Sequence, residues 1–267
     1  MHSSRRRLKS RQLEDYEIEN ELLGVSLLGS KPRRFTRKEM HEYTCGFSDL
    51  LGGGGGFGNV FRGAMDDGTP IAVKQLIDGS HQGRKEFMAE VSILGRTHHL
   101  QLVRLLGFCL EGATQKLLVY EYMGNGSLDA WIFNKTPNFT PESDEIKADK
   151  KCRQILSWEH RFGIALGTAK GLAYLHEECE DRIIHMDLKP QNILLGADFF
   201  PKISDFGMSR RVLRGQQSAV VTILRGTPGY LAPEWLTEGA ITEKCDVYSY
   251  GIVLLEIVSG RRVRDWR

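Results

Sequence analysis

The chain has 267 residues, of which 41% are apolar without counting glycine and 26% are charged. This length and composition predict a globular protein with a sizeable core. The formal net charge of only +2 excludes the strong basic excess that is typical of general nucleic-acid-binding proteins, so no nucleic-acid partner is expected. The five cysteines are odd in number and form no C-x-x-C pair, which argues against a disulfide framework and a zinc site.

Residues 1–46 are polar and contain three consecutive arginines, Arg5–Arg7, followed by an acidic patch around Glu14–Glu21. This composition predicts a flexible arm. The arginines offer a weak attraction to an anionic surface at the inner face of the plasma membrane, but a solvated tail is the favoured interpretation. Since no apolar run approaches the roughly 18 residues that span a bilayer, the sequence predicts no transmembrane segment. The cysteine pattern indicates reduced thiols, which predicts a cytoplasmic location.

Residues 47–122 predict a small β-rich region with one helix. Two apolar runs, Val60-Phe61 and Ile71–Val73, flank Asp66–Gly68, and this arrangement is typical of a β-hairpin. Over residues 83–95 the apolar side chains recur at intervals of four and three, which places them on one face of a helix.

Residues 123–267 predict a mainly helical region that begins after the break at Gly124–Gly126. Apolar residues over 162–173 mark one side of a long helix. The stretch 134–154 is rich in Lys, Asp, Glu and Pro, and it predicts an exposed loop inserted away from any cleft.

A glycine-rich stretch contains the pattern G-x-G-x-x-G-x-V at Gly53, Gly55, Gly58 and Val60. Glycine allows the backbone to approach a phosphate closely with its N–H groups turned inward. A flexible linker is one alternative and a dinucleotide-binding turn is another. The dinucleotide turn must open a helix, whereas strand-like residues follow Gly58. Val60 would cover the face of an adenine ring.

Lys74 ends an apolar strand that also contains Ala72, and the pair matches the V-A-I-K element. The lysine of that element contacts the α- and β-phosphates of ATP. A lysine in such a place needs an anionic partner, and the following helix offers Glu90 and Glu86. We favour Glu90, because it adjoins the apolar stripe of the helix.

The strongest signal is the segment that runs from His185 to Asn192 and matches H-x-D-L-x-x-x-N. In this motif the Asp is a catalytic base and the Asn is a Mg²⁺ ligand. Asp187 would accept the hydrogen bond of a substrate hydroxyl, and Asn192 would hold the metal through its amide oxygen. Lys189 would meet the γ-phosphate.

A second acidic motif, Asp205–Gly207, follows a strand-like stretch, and its carboxylate would bind the Mg²⁺ that bridges the β- and γ-phosphates. Ala232–Glu234 closes what we call the activation segment, residues 205–234. Thr222 and Thr227 lie within it and are candidates for phosphorylation or substrate positioning. Asp246 is expected to brace the catalytic loop from a buried helix.

These motifs, in this order, resemble the protein kinase superfamily over residues 47–260. Three longer segments resemble the plant receptor-like kinases, and the lectin-type and related groups in particular. They are His98–Cys109, Leu117–Met123 and Gly226–Trp235.

The resemblance implies a bilobal α+β fold, with a small β-rich N-lobe at 47–122, a mostly helical C-lobe at 123–267, and ATP bound between them. Tyr120 would be the gatekeeper, and the backbone from Glu121 to Met123 would bind adenine. Lys189 is the residue type of Ser/Thr kinases. The implied activity is therefore ATP- and Mg²⁺-dependent phosphoryl transfer to Ser/Thr hydroxyls of protein substrates.

The same resemblance gives the N-terminal arm a context. Residues 1–46 are similar to the juxtamembrane piece of membrane-anchored relatives, so a membrane or receptor association through this arm is the partner that the resemblance implies.

Three departures from the family pattern matter. Met186 replaces an Arg that pairs with a phosphorylated activation segment, which predicts activity independent of that phosphorylation. The glycine loop is one residue longer than the family pattern, so the sequence leaves two registers, one residue apart, for its contacts with ATP. Related kinases continue beyond the helix of Asp246, so we expect a C-lobe that lacks its last helices, an exposed apolar face on Ile252–Ile257 and poor stability. The alternative function is a non-catalytic scaffold or an inactive truncated fragment.

Overall fold

A computed structural model describes residues 32–55, 58–76, 81–111, 116–133, 156–215, 219–220, 226–238 and 240–265. The arm over residues 1–31, the inserted loop at 134–154 and Thr222 lie outside the described residues, so their expectations stay predictions.

A six-stranded sheet with the strand order β1-β5-β6-β4-β3-β2 forms the N-lobe. β1 pairs with β5 in parallel, and the other neighbouring strands are antiparallel. The strands are β1 (Arg33–Arg34), β2 (Leu50–Gly55), β3 (Gly58–Ala64), β4 (Pro70–Leu76), β5 (Leu105–Cys109) and β6 (Lys116–Glu121), and the helices are α1 (Arg37–Tyr43) and α2 (His81–Leu94).

The alternation of side chains along β4 separates a core face from a cleft face. Ile71 and Val73 are fully buried in a cluster on the outer side of the sheet. Because successive strand residues point to opposite faces, Ala72 and Lys74 face the other side, where the cavity lies. The predicted hairpin is present, since β3 and β4 pair over six residue pairs across the turn at Gly68.

The expectation of a flexible arm through residue 46 does not hold for its last part. Phe35 and Met40 are 1% and 0% exposed and pack against β4 and β6. A capping box between Thr36 and Glu39 starts α1. Gly107 of β5 admits this segment, because a Cβ there would lie 2.0 Å from the carbonyl oxygen of Arg33. Burial of these apolar side chains therefore joins residues 33–46 to the N-lobe.

The C-lobe is mainly helical and carries three short two-stranded ladders, β7 with β10, β8 with β9 and β11 with β12. Its helices are α3 (Asp129–Ile132), α4 (Trp158–Ala173), α5 (Pro233–Glu238) and α6 (Lys244–Ser259). Its strands are β7 (Arg182–Ile184), β8 (Ile193–Leu195), β9 (Pro201–Ile203), β10 (Arg210–Val212), β11 (Ala219–Val220) and β12 (Ala240–Ile241). The bilobal α+β fold is confirmed.

The predicted apolar face of α6 divides into two sides. Val253 and Ile257 are buried in the core, whereas Leu255 and Val258 are 48% and 64% exposed. None of the helices in the described part of the chain has the length and apolar character needed to cross a membrane.

Truncation of Phe35 tests whether residues 33–46 belong to the folded N-lobe. We expect Phe35→Ala to lower the free energy of unfolding by about 3 kcal/mol, because a buried aromatic ring is lost and a cavity is left. Thermal and urea denaturation measure the change. Lys38→Ala, whose side chain is 85% exposed on α1, is the matched control. If both variants unfold like the wild type, the segment contributes nothing to the N-lobe.

Candidate active site

A cavity of about 410 Å³ lies between the sheet and the C-lobe. Most of the predicted site residues line it, namely Gly58, Val60, Ala72, Lys74, Glu90, Tyr120, Glu121, Met123, Asn192 and Asp205. Gly53 belongs to β2 but is not among the described lining residues, whereas its neighbour Gly52 is. Gly55 also belongs to β2, and its place relative to the cavity stays a prediction.

The glycine-rich strand β2 pairs irregularly with β3. Leu50 pairs with Phe61, Gly52 with Val60 and Gly55 with Gly58, so β2 gains a residue relative to β3 at two points. Each is a β-bulge, which absorbs an extra residue without breaking the ladder. Gly58 has φ +92°, and a Cβ there would lie 2.0 Å from the carbonyl oxygen of Gln75. Only glycine fits at the turn into β3.

The ammonium of Lys74 lies between two carboxylates from different elements. Its Nζ donates to Glu90 Oε1 at 2.6 Å and to Asp205 Oδ1 at 2.8 Å. Burial acts to lower the pKa of Lys74, but Asp205 and Glu90 outweigh it and hold this pKa above the ordinary value. Burial acts to raise the pKa of Asp205, yet Lys74 holds it below the ordinary value. The lysine is therefore charged and fixed in direction.

The partner of Lys74 is Glu90 and not its rival Glu86. Glu90 is fully buried and also accepts a hydrogen bond from the Tyr120 hydroxyl. Burial first, and Glu90 second, raise the pKa of Tyr120 well above its ordinary value, so the hydroxyl keeps its proton. Glu86 lies one helical turn before Glu90 and packs closely against Gly207. A Cβ added to Gly207 would lie 3.2 Å from the Cβ of Glu86.

Asp187 is 4% exposed, and each oxygen of its carboxylate has a defined partner. Oδ1 accepts from the Thr227 hydroxyl at 2.6 Å. Oδ2 accepts from Lys189 Nζ at 2.6 Å and from the amide nitrogen of Asn192 at 3.1 Å. Lys189 Nζ also donates to the Thr227 hydroxyl at 2.8 Å. Thr227 thus ties the activation segment to the predicted base.

The loop that carries Asp187 is held by the fully buried Asp246 on α6. Its Oδ2 accepts from the backbone N–H of His185 at 2.7 Å, and its Oδ1 accepts from that of Met186 at 2.8 Å. His176 Nε2 donates to the same carboxylate at 2.9 Å. Met186 has φ +69°, which is rare outside glycine, and these bonds hold it there.

Met186, which stands where the family pattern has an arginine, is buried. It belongs to an apolar cluster with Met208 and Val212 of the activation segment and with Trp235 of α5. Dispersion and burial therefore join the catalytic loop to the activation segment here.

The oxygen atoms offered by Asn192 and Asp205 fit a hard cation. The described hydrogen bonds of the Asn192 side chain use its amide nitrogen, towards Asp187. Its amide oxygen and the Asp205 carboxylate are oxygen ligands of the type that Mg²⁺ prefers, and both residues line the cavity. Asp205 has φ +66°, and the ring of Phe206 beside it is fully buried against His185.

Several site residues were missed by the sequence analysis. Leu51, Val103 and Leu194 add apolar walls to the cavity, and they come from three separate strands or loops. The side chain of Glu121 accepts from Lys202 Nζ and from the backbone N–H of Arg104, each at 2.7 Å. The short apolar runs that contain these residues were visible in the sequence, but nothing local in it indicates which of their side chains face a common cavity.

Comparison with known proteins identifies the family. A family model described as protein tyrosine and serine/threonine kinase matches residues 47–264. The chain is 50% identical over 265 residues to the G-type lectin S-receptor-like serine/threonine-protein kinase SD2-5 of Arabidopsis thaliana, which covers 99% of this chain and 30% of that protein.

Two further relatives agree. A second G-type lectin S-receptor-like serine/threonine-protein kinase of Arabidopsis thaliana is 54% identical over 228 residues, or 85% of this chain and 26% of that protein. The putative receptor protein kinase ZmPK1 of Zea mays is 44% identical over 255 residues, or 96% and 29%. The chain thus spans less than a third of these relatives, and the resemblance to plant receptor-like kinases is confirmed. The chain belongs to the protein tyrosine and serine/threonine kinase family.

Proposed function

We propose that this chain transfers the γ-phosphoryl group of ATP to Ser or Thr hydroxyls of protein substrates. The observation that carries the proposal is the Thr227 hydroxyl, which donates to Asp187 Oδ1 while Lys189 contacts both side chains. An alcohol is therefore already held against the carboxylate that would receive the proton of a substrate alcohol. Three described relatives that bear the name serine/threonine-protein kinase or receptor protein kinase support the same activity.

The chemistry assigned to each residue follows from its surroundings. Asp187 orients the attacking hydroxyl and accepts its proton as the bond to phosphorus forms. Lys189 lies 2.6 Å from that carboxylate, where its charge stabilises the transferred group. Lys74 is held charged by two carboxylates and would contact the α- and β-phosphates.

The metal and the adenine have separate places. Asn192 and Asp205 would hold Mg²⁺ through their oxygens. A bound Mg²⁺ would neutralise charge on the phosphate oxygens. Val60, Ala72 and the backbone from Glu121 to Met123 would bind the adenine ring.

A non-catalytic scaffold is the alternative. Keeping Lys74, Glu90 and Asp205 buried carries a desolvation cost that apolar side chains of similar volume would avoid. A scaffold does not need these buried charges, whereas phosphoryl transfer needs a charged lysine that is held in one direction. The association of residues 1–46 with a receptor or a membrane stays a prediction of the sequence.

Removing the base tests the proposal. We expect Asp187→Asn to lower kcat at least about 100-fold, because the amide keeps the shape but cannot accept the proton. Transfer of radiolabelled phosphate from Mg-ATP to a generic Ser/Thr substrate measures it. Wild type and variant should melt at similar temperatures. Equal rates for the two proteins would contradict the assignment.

Changes in the activation segment test the role given to Met186. We expect Thr222→Ala to keep its activity, since the apolar cluster around Met186 needs no phosphate. Thr227→Ala should lose activity and Thr227→Ser should keep it, because the hydroxyl is what Asp187 and Lys189 contact. Steady-state kinetics measure all three variants. If Thr222→Ala were inactive and Thr222→Asp were active, the activity would depend on phosphorylation of Thr222.

Metal dependence tests the assignment of Asn192. We expect Asn192→Ala to raise the Mg²⁺ concentration for half-maximal turnover by at least about tenfold, because one oxygen ligand is lost. Asp198→Ala removes an exposed oxygen-bearing side chain of the C-lobe that is not among the described lining residues, and this control should leave the concentration unchanged. A titration of activity against Mg²⁺ measures both, and a shift in neither variant would count against Asn192 as a ligand.

A further inference from the structure

The start of the activation segment is attached to the end of α4 by one arginine. The Arg214 guanidinium donates to the carbonyl oxygens of Cys179 at 2.8 Å and of Glu180 at 3.1 Å. It also donates to the carbonyl oxygen of Glu177. These acceptors belong to the π-helical turn that follows α4 and to the two residues after it.

The end of a helix is a suitable receptor for a guanidinium. The last carbonyl groups of a helix have no partners within it and carry partial negative charge. Arginine presents several N–H donors in a rigid planar fork and stays protonated. Arg214 reaches the three carbonyl groups through two separate nitrogens, Nε and Nη2. A lysine would have to reach all of them from one nitrogen.

Neighbouring contacts support the same attachment. β10 pairs with β7 over three residue pairs, from Arg210 with Ile184 to Val212 with Arg182. Arg211 forms an ion pair with Asp181, next to the carbonyl groups that Arg214 contacts. None of these contacts uses a hydroxyl group that can be phosphorylated.

We propose that Arg214 is a positioning residue that fixes the start of the activation segment on the end of α4 without any phosphorylated residue. Arg214 adds a cationic contact at the start of the segment, where Met186 of the catalytic loop is apolar and buried. Lys189 of the catalytic loop contacts the segment further along, at Thr227. The attachment keeps residues 205–215 ordered, which favours the contact of Thr227 with Asp187 further along the segment.

The effect of Arg214 on turnover rests on the proposed function, but its effect on order does not. Two readouts on dephosphorylated protein keep them apart. Hydrogen exchange reports the order of residues 205–215, and kinetics report KM for the protein substrate and KM for ATP. Arg214→Ala and Arg214→Lys are compared with Arg210→Ala, a matched control whose guanidinium contacts the carbonyl oxygen of the adjacent Ser209.

We expect Arg214→Ala to raise exchange over residues 205–215 by at least about fivefold. It should raise KM for the protein substrate by a similar factor and leave KM for ATP unchanged. Arg214→Lys should fall between Arg214→Ala and the wild type, and Arg210→Ala should match the wild type.

Wild-type exchange in Arg214→Ala would overturn the attachment. If the wild-type protein lost its activity on dephosphorylation, the activation segment would need a phosphorylated residue, and this part of the proposal would be wrong. An inactive wild type would overturn the proposed function instead, and the exchange result would still decide the role of Arg214.

Discussion

The ammonium group of Lys74 lies within 2.8 Å of carboxylate oxygens from Glu90 of α2 and Asp205 of the C-lobe. One buried charge thereby links the sheet, the helix beside it and the start of the activation segment. Removing Lys74 would leave two largely buried carboxylates without their shared cation, which is strongly unfavourable. The position of α2 and the direction of Asp205 are thus coupled, and both depend on Lys74.

A second buried charge fixes the other half of the site. Asp246 accepts the backbone N–H groups of His185 and Met186, and this sets the loop from which Asp187 projects. Thr227 then connects that loop to the activation segment. The two halves of the site are therefore organised by two separate buried charges, Lys74 in the N-lobe and Asp246 in the C-lobe.

The sequence predicted most of this site because its motifs are short and local. The β-rich and helical parts were predicted from residue patterns, whereas the bilobal fold followed from the resemblance of the ordered motifs, from Lys74 to Asp205, to the protein kinase family. The choice of Glu90 over Glu86 followed from the apolar stripe of one helix. The fold of residues 33–46 was missed, although Thr36 and Glu39 show the capping-box spacing, because the charged residues around them suggested a solvated arm.

Other features depend on contacts between distant parts of the chain. The two bulges in β2 are set by its pairing with β3, and no residue type in a run of glycines specifies that register. Arg214 contacts backbone carbonyl groups more than 30 residues earlier. Every residue has such a carbonyl group, so the sequence does not indicate which of them accept a hydrogen bond. Lys202 and Glu121 are 81 residues apart.

We propose that the buried group around Lys74 organises phosphoryl transfer. The most direct measurement is kcat/KM for ATP in Glu90→Gln and in Glu86→Gln, which change neighbouring turns of α2 in the same way. We expect a loss of at least about tenfold for Glu90→Gln, because Lys74 loses a charged partner, and a much smaller change for Glu86→Gln. Equal effects of the two substitutions, or wild-type activity in Glu90→Gln, would contradict it.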